Sequence, residues 1–264
     1  GFIEPHFFAG FSGGGKAVMP GMAGLRTVLG NHDAGMIGNP KSTWGVTWGN
    51  PIWEEARAAA LQTNPAFIVN VTLNRDKAIT GVFAGALDPA HQAGIAFVRQ
   101  TAMVPIDAPF DIVIGTNSGY PLDLNLYQTV KGMSAAGEAV REGGAIIIAS
   151  ECWDGIPAHG LYGELLRAAR SPKELLDAIY AFEEPRQDQW EAHVQARVQL
   201  KAEVHIYSHG LTPQQITESL LEPCDDIAAT VARLRARYGR DARICVMPEG
   251  PQTVPYVNGG SQPA

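Results

Sequence analysis

Hydrophobic and polar positions alternate along this chain with several different periods, and each period predicts its own kind of element. Phe67–Thr72 and Ala78–Ala84 are β-rich runs separated by Asn74-Arg75-Asp76, a turn cluster that predicts a hairpin. Asp111–Gly115 (DIVIG) and Ala145–Ala149 (AIIIA) are apolar on consecutive positions, as strands covered on both faces are. Helical spacing occupies Pro51–Thr63, Ala90–Thr101, Leu126–Arg141, Gly163–Phe182, Asp188–Val204 and Ile227–Tyr238. Proline in the first turn and good helix formers after it support the first of these. Short strands are expected at His205–Tyr207 and Arg243–Val246. Strands alternating with helices predict an α/β fold of two α/β domains, the carboxy-terminal one with a mostly parallel sheet flanked by helices.

Two prolines interrupt the pattern between Ala102 and Pro109, so the boundary is set there: 1–103, 104–257, and a disordered polar tail 258–264. Residues 1–50 have little periodicity before Gly21–Leu29 and are rich in glycine, proline and aromatics. Such a stretch predicts loops lining a site.

Composition narrows the function. The 264 residues are 45% hydrophobic and 18% charged, which is globular. A net charge of −7 without a basic stripe argues against a nucleic-acid partner. No apolar run approaches the roughly 20 residues of a membrane helix, and no signal peptide is evident. Cys152, Cys224 and Cys245 lack paired spacing, which predicts neither a disulfide framework nor a Cys-based zinc site and points to a reducing cytoplasm. The chain opens without an initiating methionine, which predicts a truncated or processed product.

The segment Gly10-Phe-Ser-Gly-Gly-Gly-Lys16-Ala17 satisfies the spacing of a phosphate loop. Ala17 stands where a magnesium-binding hydroxyl belongs, however, and Pro5 and Pro20 interrupt the flanking strand and helix. A lone histidine or a GGGK turn is ordinarily structural. Here the neighbours alter the weighting. Gly1-Phe-Ile-Glu-Pro-His6 through Lys16-Ala-Val-Met-Pro20-Gly, followed by Gly30-Asn31-His32, resembles the signature of the lactate racemase family. So does Gly119-Tyr-Pro-Leu-Asp123-Leu-Asn-Leu-Tyr127-Gln128-Thr-Val-Lys131-Gly132, and the resemblance extends to about Tyr256.

That resemblance implies racemisation or epimerisation of a 2-hydroxyacid by reversible hydride transfer to a nickel-pincer nucleotide, a pyridinium thioamide/thiocarboxylate mononucleotide. It implies that Lys16 tethers the nucleotide and that His32 is the nickel ligand. His6 would be one of two acid–base histidines, the second supplied by an amino-terminal portion that this chain lacks. Tyr127, Gln128 and Lys131 would lie near the substrate and its carboxylate, Gln128 and Lys131 counting with His6 among the catalytic residues. Trp190 would border the cofactor; packing is its other reading. The implied partners are a small 2-hydroxyacid, the missing amino-terminal portion and cofactor-synthesis enzymes, with neither nucleic acid nor membrane.

The residue types suit these roles. Gly13, Gly14 and Gly15 allow close backbone approach, imidazole is a suitable Ni(II) ligand, and a second imidazole can exchange protons near neutral pH. On a helix Lys131 shares a neighbouring face with Tyr127 and Gln128; without the flanking motif it would read as an ordinary exposed lysine. Glu4 either orients His6 or is solvated. His91, His159, His193, His205 and His209 show no ligand spacing and read as structural or surface residues. Two other functions remain open: a cofactor-free carboxylate- or partner-binding module, and a nucleotide-phosphate-binding enzyme using the glycine-rich loop.

Overall fold

Val113 and Ala145 to Ile148 are apolar on successive positions because both faces of their sheet are covered. In the computed structural model, which describes residues 1–258, they lie in neighbouring strands of a five-stranded parallel sheet. Of the predicted tail 258–264, Asn258 is ordered, its N–H donating to Ile106 O at 2.9 Å, and residues 259–264 lie outside the described residues. The chain forms two units that meet at Val104–Pro105.

The first unit begins with β1 (Pro5–His6) and β2 (Gly10–Phe11), which pair antiparallel. A single 3-10 turn (Gly14–Ala17) leads to three helices: α1 (Leu25–Asn31), α2 (Ala34–Gly38) and α3 (Pro51–Gln62). Asn50 starts α3 by accepting hydrogen bonds from Ile52 N and Trp53 N at its side-chain oxygen, and Pro51 sits where its missing N–H costs nothing. The predicted hairpin follows as β3 (Ile68–Leu73) and β4 (Ile79–Gly85). Next, α4 (Leu87–Ala102) packs on both strands. Asn70 and Thr72 are buried, while Val69, Leu73 and Val82 are exposed. Gly1–Ile3 runs beside β3, with Ile3 N donating to Val71 O at 2.8 Å. The strand β5 (Met103–Ile106) crosses the boundary between units.

The second unit carries β6 (Phe110–Thr116), α5 (Leu126–Ala139), β7 (Val140–Ala149), α6 (Tyr162–Arg167), α7 (Pro172–Tyr180), α8 (Gln189–Lys201) and β8 (Ala202–Tyr207). It continues with α9 (Pro213–Glu218), β9 (Glu222–Pro223), α10 (Ile227–Tyr238), β10 (Ile244–Met247) and β11 (Val254–Val257). The sheet order is β10-β6-β7-β8-β9, all parallel. Ile112, Ala145 and Ile147 face Leu234 of α10. Alternation turns Ile146 and Ile148 to the opposite face, where α5 and α8 pack. Each buried isoleucine contributes about 1.5–3 kcal/mol.

The expected α/β class and parallel sheet are observed. The predicted Gly163–Phe182 helix is two helices, because Ser171 caps the second with its hydroxyl and Pro172 forces the residue before it to be extended. The predicted Asp188–Val204 helix ends at Lys201, since Ala202 already belongs to β8. Among the described residues no helix is long and apolar enough to cross a membrane.

Candidate functional site

In the first unit the glycine-rich loop folds tightly against its own surroundings. Gly14 has φ +53°, its N–H donates to buried Asn70 Oδ1 at 2.9 Å, and a Cβ there would stand 2.2 Å from His91 Nδ1. A Cβ on Gly15 would stand 2.8 Å from Ala56 O. Packing within the unit therefore already demands glycine at these positions. His91 is buried, and its Nε2 pairs with Ser12 O at 2.9 Å. Burial lowers its pKa despite that bond, so a neutral ring supports the loop from below. The long helix that would align backbone amides on a phosphate is replaced by the four-residue turn Gly14–Ala17.

Three predicted site residues meet at one aromatic ring, that of Phe8. Lys16 Nζ stands 5.8 Å from its centroid, His32 packs edge-on at 4.9 Å, and His6 packs edge-on at 4.6 Å. Asn50 fixes this part of the chain by donating to Phe8 O at 2.9 Å. His32 is the C-cap of α1 and only 5% exposed. Burial, and next the charge of Lys16, lower its pKa to about 3. Its imidazole is therefore held in the neutral form that ligates metals. The preceding residue, Asn31, is anchored by donation to Glu55 Oε2 at 2.7 Å. Ala9 N–H donates to His6 Nδ1 at 3.2 Å, so the neutral ring carries its proton on Nε2.

In the second unit the predicted residues lie on α5 and α8, which pack together. Asn125 caps α5 by accepting from Gln128 N at 3.1 Å. Gly132 brings α5 against the end of β6: its N–H donates to Asn117 Oδ1 at 2.9 Å, and a Cβ would stand 2.7 Å from Thr116 O. Directly before Gly132, Lys131 reaches one helical turn back, where its Nζ donates to Gln128 Oε1 at 2.6 Å. Tyr127 turns instead to α8, where Trp190 Nε1 donates to its hydroxyl at 2.9 Å. Burial, followed by the nearby Glu191, pushes the Tyr127 phenol far above its ordinary range, so it stays a neutral hydroxyl. Glu191 was not singled out by the sequence. It is 1% exposed, and burial raises its pKa to about 8 against the attraction of Lys131.

The Pro248-Glu-Gly-Pro251 segment lies beside the end of β6. Its carbonyls at Pro248 and Gly250 accept from Thr116 Oγ1 and Ser118 Oγ, each at 2.9 Å. These loops leave β6 and β10, where the strand order reverses, which is where open parallel sheets collect ligands.

Fold and clusters together define an α/β protein whose parallel-sheet unit and loop-rich unit each carry a group of polar residues held by buried neighbours. Comparison with known proteins gives the family. The profile described as "Lactate racemase C-terminal domain" matches residues 106–254, and "Lactate racemase N-terminal domain" matches residues 1–45. The chain belongs to the lactate racemase family. It is 39% identical over 252 residues to the lactate racemase of Thermoanaerobacterium thermosaccharolyticum and 42% identical over 255 to that of Lactiplantibacillus plantarum. Either alignment covers 95% of this chain, which spans 59% of the length of each relative. The solved structure of the lactate racemase apoprotein from T. thermosaccharolyticum superimposes with a TM-score of 0.92 at 37% identity, over 96% of this chain and 61% of that one. A Thermotoga maritima protein shares the fold at TM-score 0.70 and 17% identity, over 97% of this chain and 65% of that one.

Proposed function

We propose that this chain carries the cofactor-tethering and carboxylate-binding residues of a 2-hydroxyacid racemase or epimerase, with lactate as the first substrate to test. The observation that carries the reading is the meeting of Lys16, His32 and His6 around Phe8, with His32 kept neutral by burial. Those residues fit the nickel-pincer nucleotide that the family resemblance implies. A neutral buried imidazole is a suitable Ni(II) donor, and the amine of Lys16 lies on the same ring. Lys16 would hold the nucleotide covalently and His32 would ligate its nickel. When bound, the group supplies reversible hydride acceptance from C2 of the substrate.

The remaining work falls to this chain's own residues. Lys131, aligned by Gln128, binds the substrate carboxylate, and a charge-assisted hydrogen bond of that kind keeps the acid in place while C2 changes configuration. Tyr127 and Trp190 form a hydrogen-bonded aromatic wall beside it. As an imidazolium, with a proton on each ring nitrogen, His6 would return the Nε2 proton to the substrate oxygen and become the neutral Nδ1–H tautomer. To take a proton at Nε2 it must first carry one on Nδ1 and release the Ala9 N–H.

The test is peptide mass spectrometry of the protein co-expressed with cofactor-synthesis enzymes and nickel. A sulfur-containing nucleotide adduct on the Lys16 peptide is the expected result. Unmodified Lys16 beside a fully loaded family member overturns the tethered-cofactor reading and favours a cofactor-free binding module.

A further inference from the structure

Glu191 has no part in the steps above, yet it is the most deeply buried acid of the second cluster. It lies in the first turn of α8, directly after Trp190. Its Oε1 is shielded from solvent and meets no hydrogen-bond donor among the described residues. An acceptor in that state leaves hydrogen-bonding capacity unmet.

The charged and titratable groups around it are Tyr127 and Lys131 from α5, Tyr162 from α6, and Asp188 at the head of α8 itself. Helix α7 also packs on α8, but its Tyr180 meets His193 and supplies no charge that acts on Glu191. Lys131 is the cation of the group and favours the ionised acid, whereas Asp188 opposes it. The Lys131 ammonium has three N–H donors, of which one goes to Gln128. A buried acid lacking a donor thus stands in the field of a cation with further donors to offer.

We propose that Glu191 is a positioning residue for Lys131 and decides how much of the lysine's charge reaches a bound carboxylate. As a neutral acid it leaves the ammonium to the substrate; as an anion it draws the ammonium toward itself. The proposal rests on the reading of Lys131 as the carboxylate-binding cation. Burial keeps Glu191 neutral up to about pH 8, so at neutral pH the ammonium belongs to the substrate. Alkaline pH would set the two carboxylates in competition for one cation.

The experiment measures KM and kcat for L-lactate from pH 6.5 to 9.5 in the native cofactor-loaded enzyme and in its E191Q and K131M variants. The wild-type KM is expected to rise roughly tenfold above pH 8, following the ionised fraction of the acid, while kcat changes less. In E191Q the KM should keep its neutral-pH value throughout, because glutamine holds the shape of the neutral acid and cannot ionise. An alkaline rise in E191Q equal to that of the wild type overturns the proposal. K131M should raise KM at every pH. An unchanged KM in K131M removes the reading of Lys131 and the proposal with it, whereas a raised KM beside an unaltered E191Q profile removes the role of Glu191 alone.

A second readout needs no turnover. The carboxyl 13C resonance of Glu191, assigned by its loss in E191Q, should titrate at higher pH in K131M than in wild type because the cation is gone. An unshifted midpoint overturns the coupling.

Discussion

Replacing Glu191 by glutamine should make the stability of this protein less dependent on pH, by an amount that follows from the burial of the acid. Burial keeps Glu191 protonated in the folded chain up to about pH 8, against an ordinary value of 4.5. Between those values the unfolded chain releases the proton and the folded chain retains it, so rising pH favours unfolding. The penalty is about 1.4 kcal/mol per pH unit and reaches about 4–5 kcal/mol at pH 8, after which it stays constant. Glutamine removes this slope. In its place it buries an amide NH2 where the acid had a hydroxyl, a pH-independent cost of about 1–3 kcal/mol. The variant should therefore be less stable than wild type by about 1–3 kcal/mol near pH 4.5 and more stable by about 1–4 kcal/mol at pH 8. Urea unfolding followed by circular dichroism at pH 5, 6, 7 and 8 gives the difference directly. A wild-type-to-variant difference that stays flat across this range would refute the argument, because it would mean that Glu191 ionises as readily in the folded chain as in the unfolded one.

The other expectations concern the loop-rich unit. His32→Ala should abolish nickel retention in the loaded enzyme, read by elemental analysis, and unchanged nickel would rule out His32 as a required ligand; His6→Ala should keep nickel and lose interconversion. Because burial lowers the pKa of His32 to about 3, the unfolded chain takes up a proton below pH 6.5 that the folded chain refuses. Stability should then fall by about 1.4 kcal/mol per pH unit on acidification, and His32→Gln should flatten that part of the profile, as denaturation between pH 4 and 7 will show. Gly10→Ala should cost at least about 3 kcal/mol in chemical denaturation, since φ is +72° and the new Cβ would stand 2.0 Å from Val46 O. Gly30→Ala, inside α1 with open space at its Cβ, should instead stabilise by about 0.5–1 kcal/mol; a loss there would show that this stretch is not helical.

The sequence by itself determined the elements whose cause is local. Consecutive apolar positions in Ile112–Ile114 and Ala145–Ile148 gave buried strands, and Ile227–Tyr238 has in the structure the limits its periodicity predicts. The turn cluster at Asn74–Asp76 made the hairpin, and the glycine-rich motif with Gly30-Asn31-His32 was enough to suggest the family. Two further signals are local but lie outside the hydrophobic periodicity: Ser171-Pro172 begins a new helix, and Thr212-Pro213 with Gln215 forms the capping box of α9. What only the tertiary structure decided is which polar groups lie out of water and beside what. Helix α8 buries Gln189, Glu191, His193 and Gln195, which a reading by amphipathicity leaves on the surface. His91 supports the glycine-rich loop from a helix more than 70 residues further on, and Phe8 gathers His6, Lys16 and His32 around one ring. The displaced pKa values of His32 and Glu191 arise in the same way. Desolvation depends on the atoms packed around a group, and those come from distant parts of the chain that only the fold brings together.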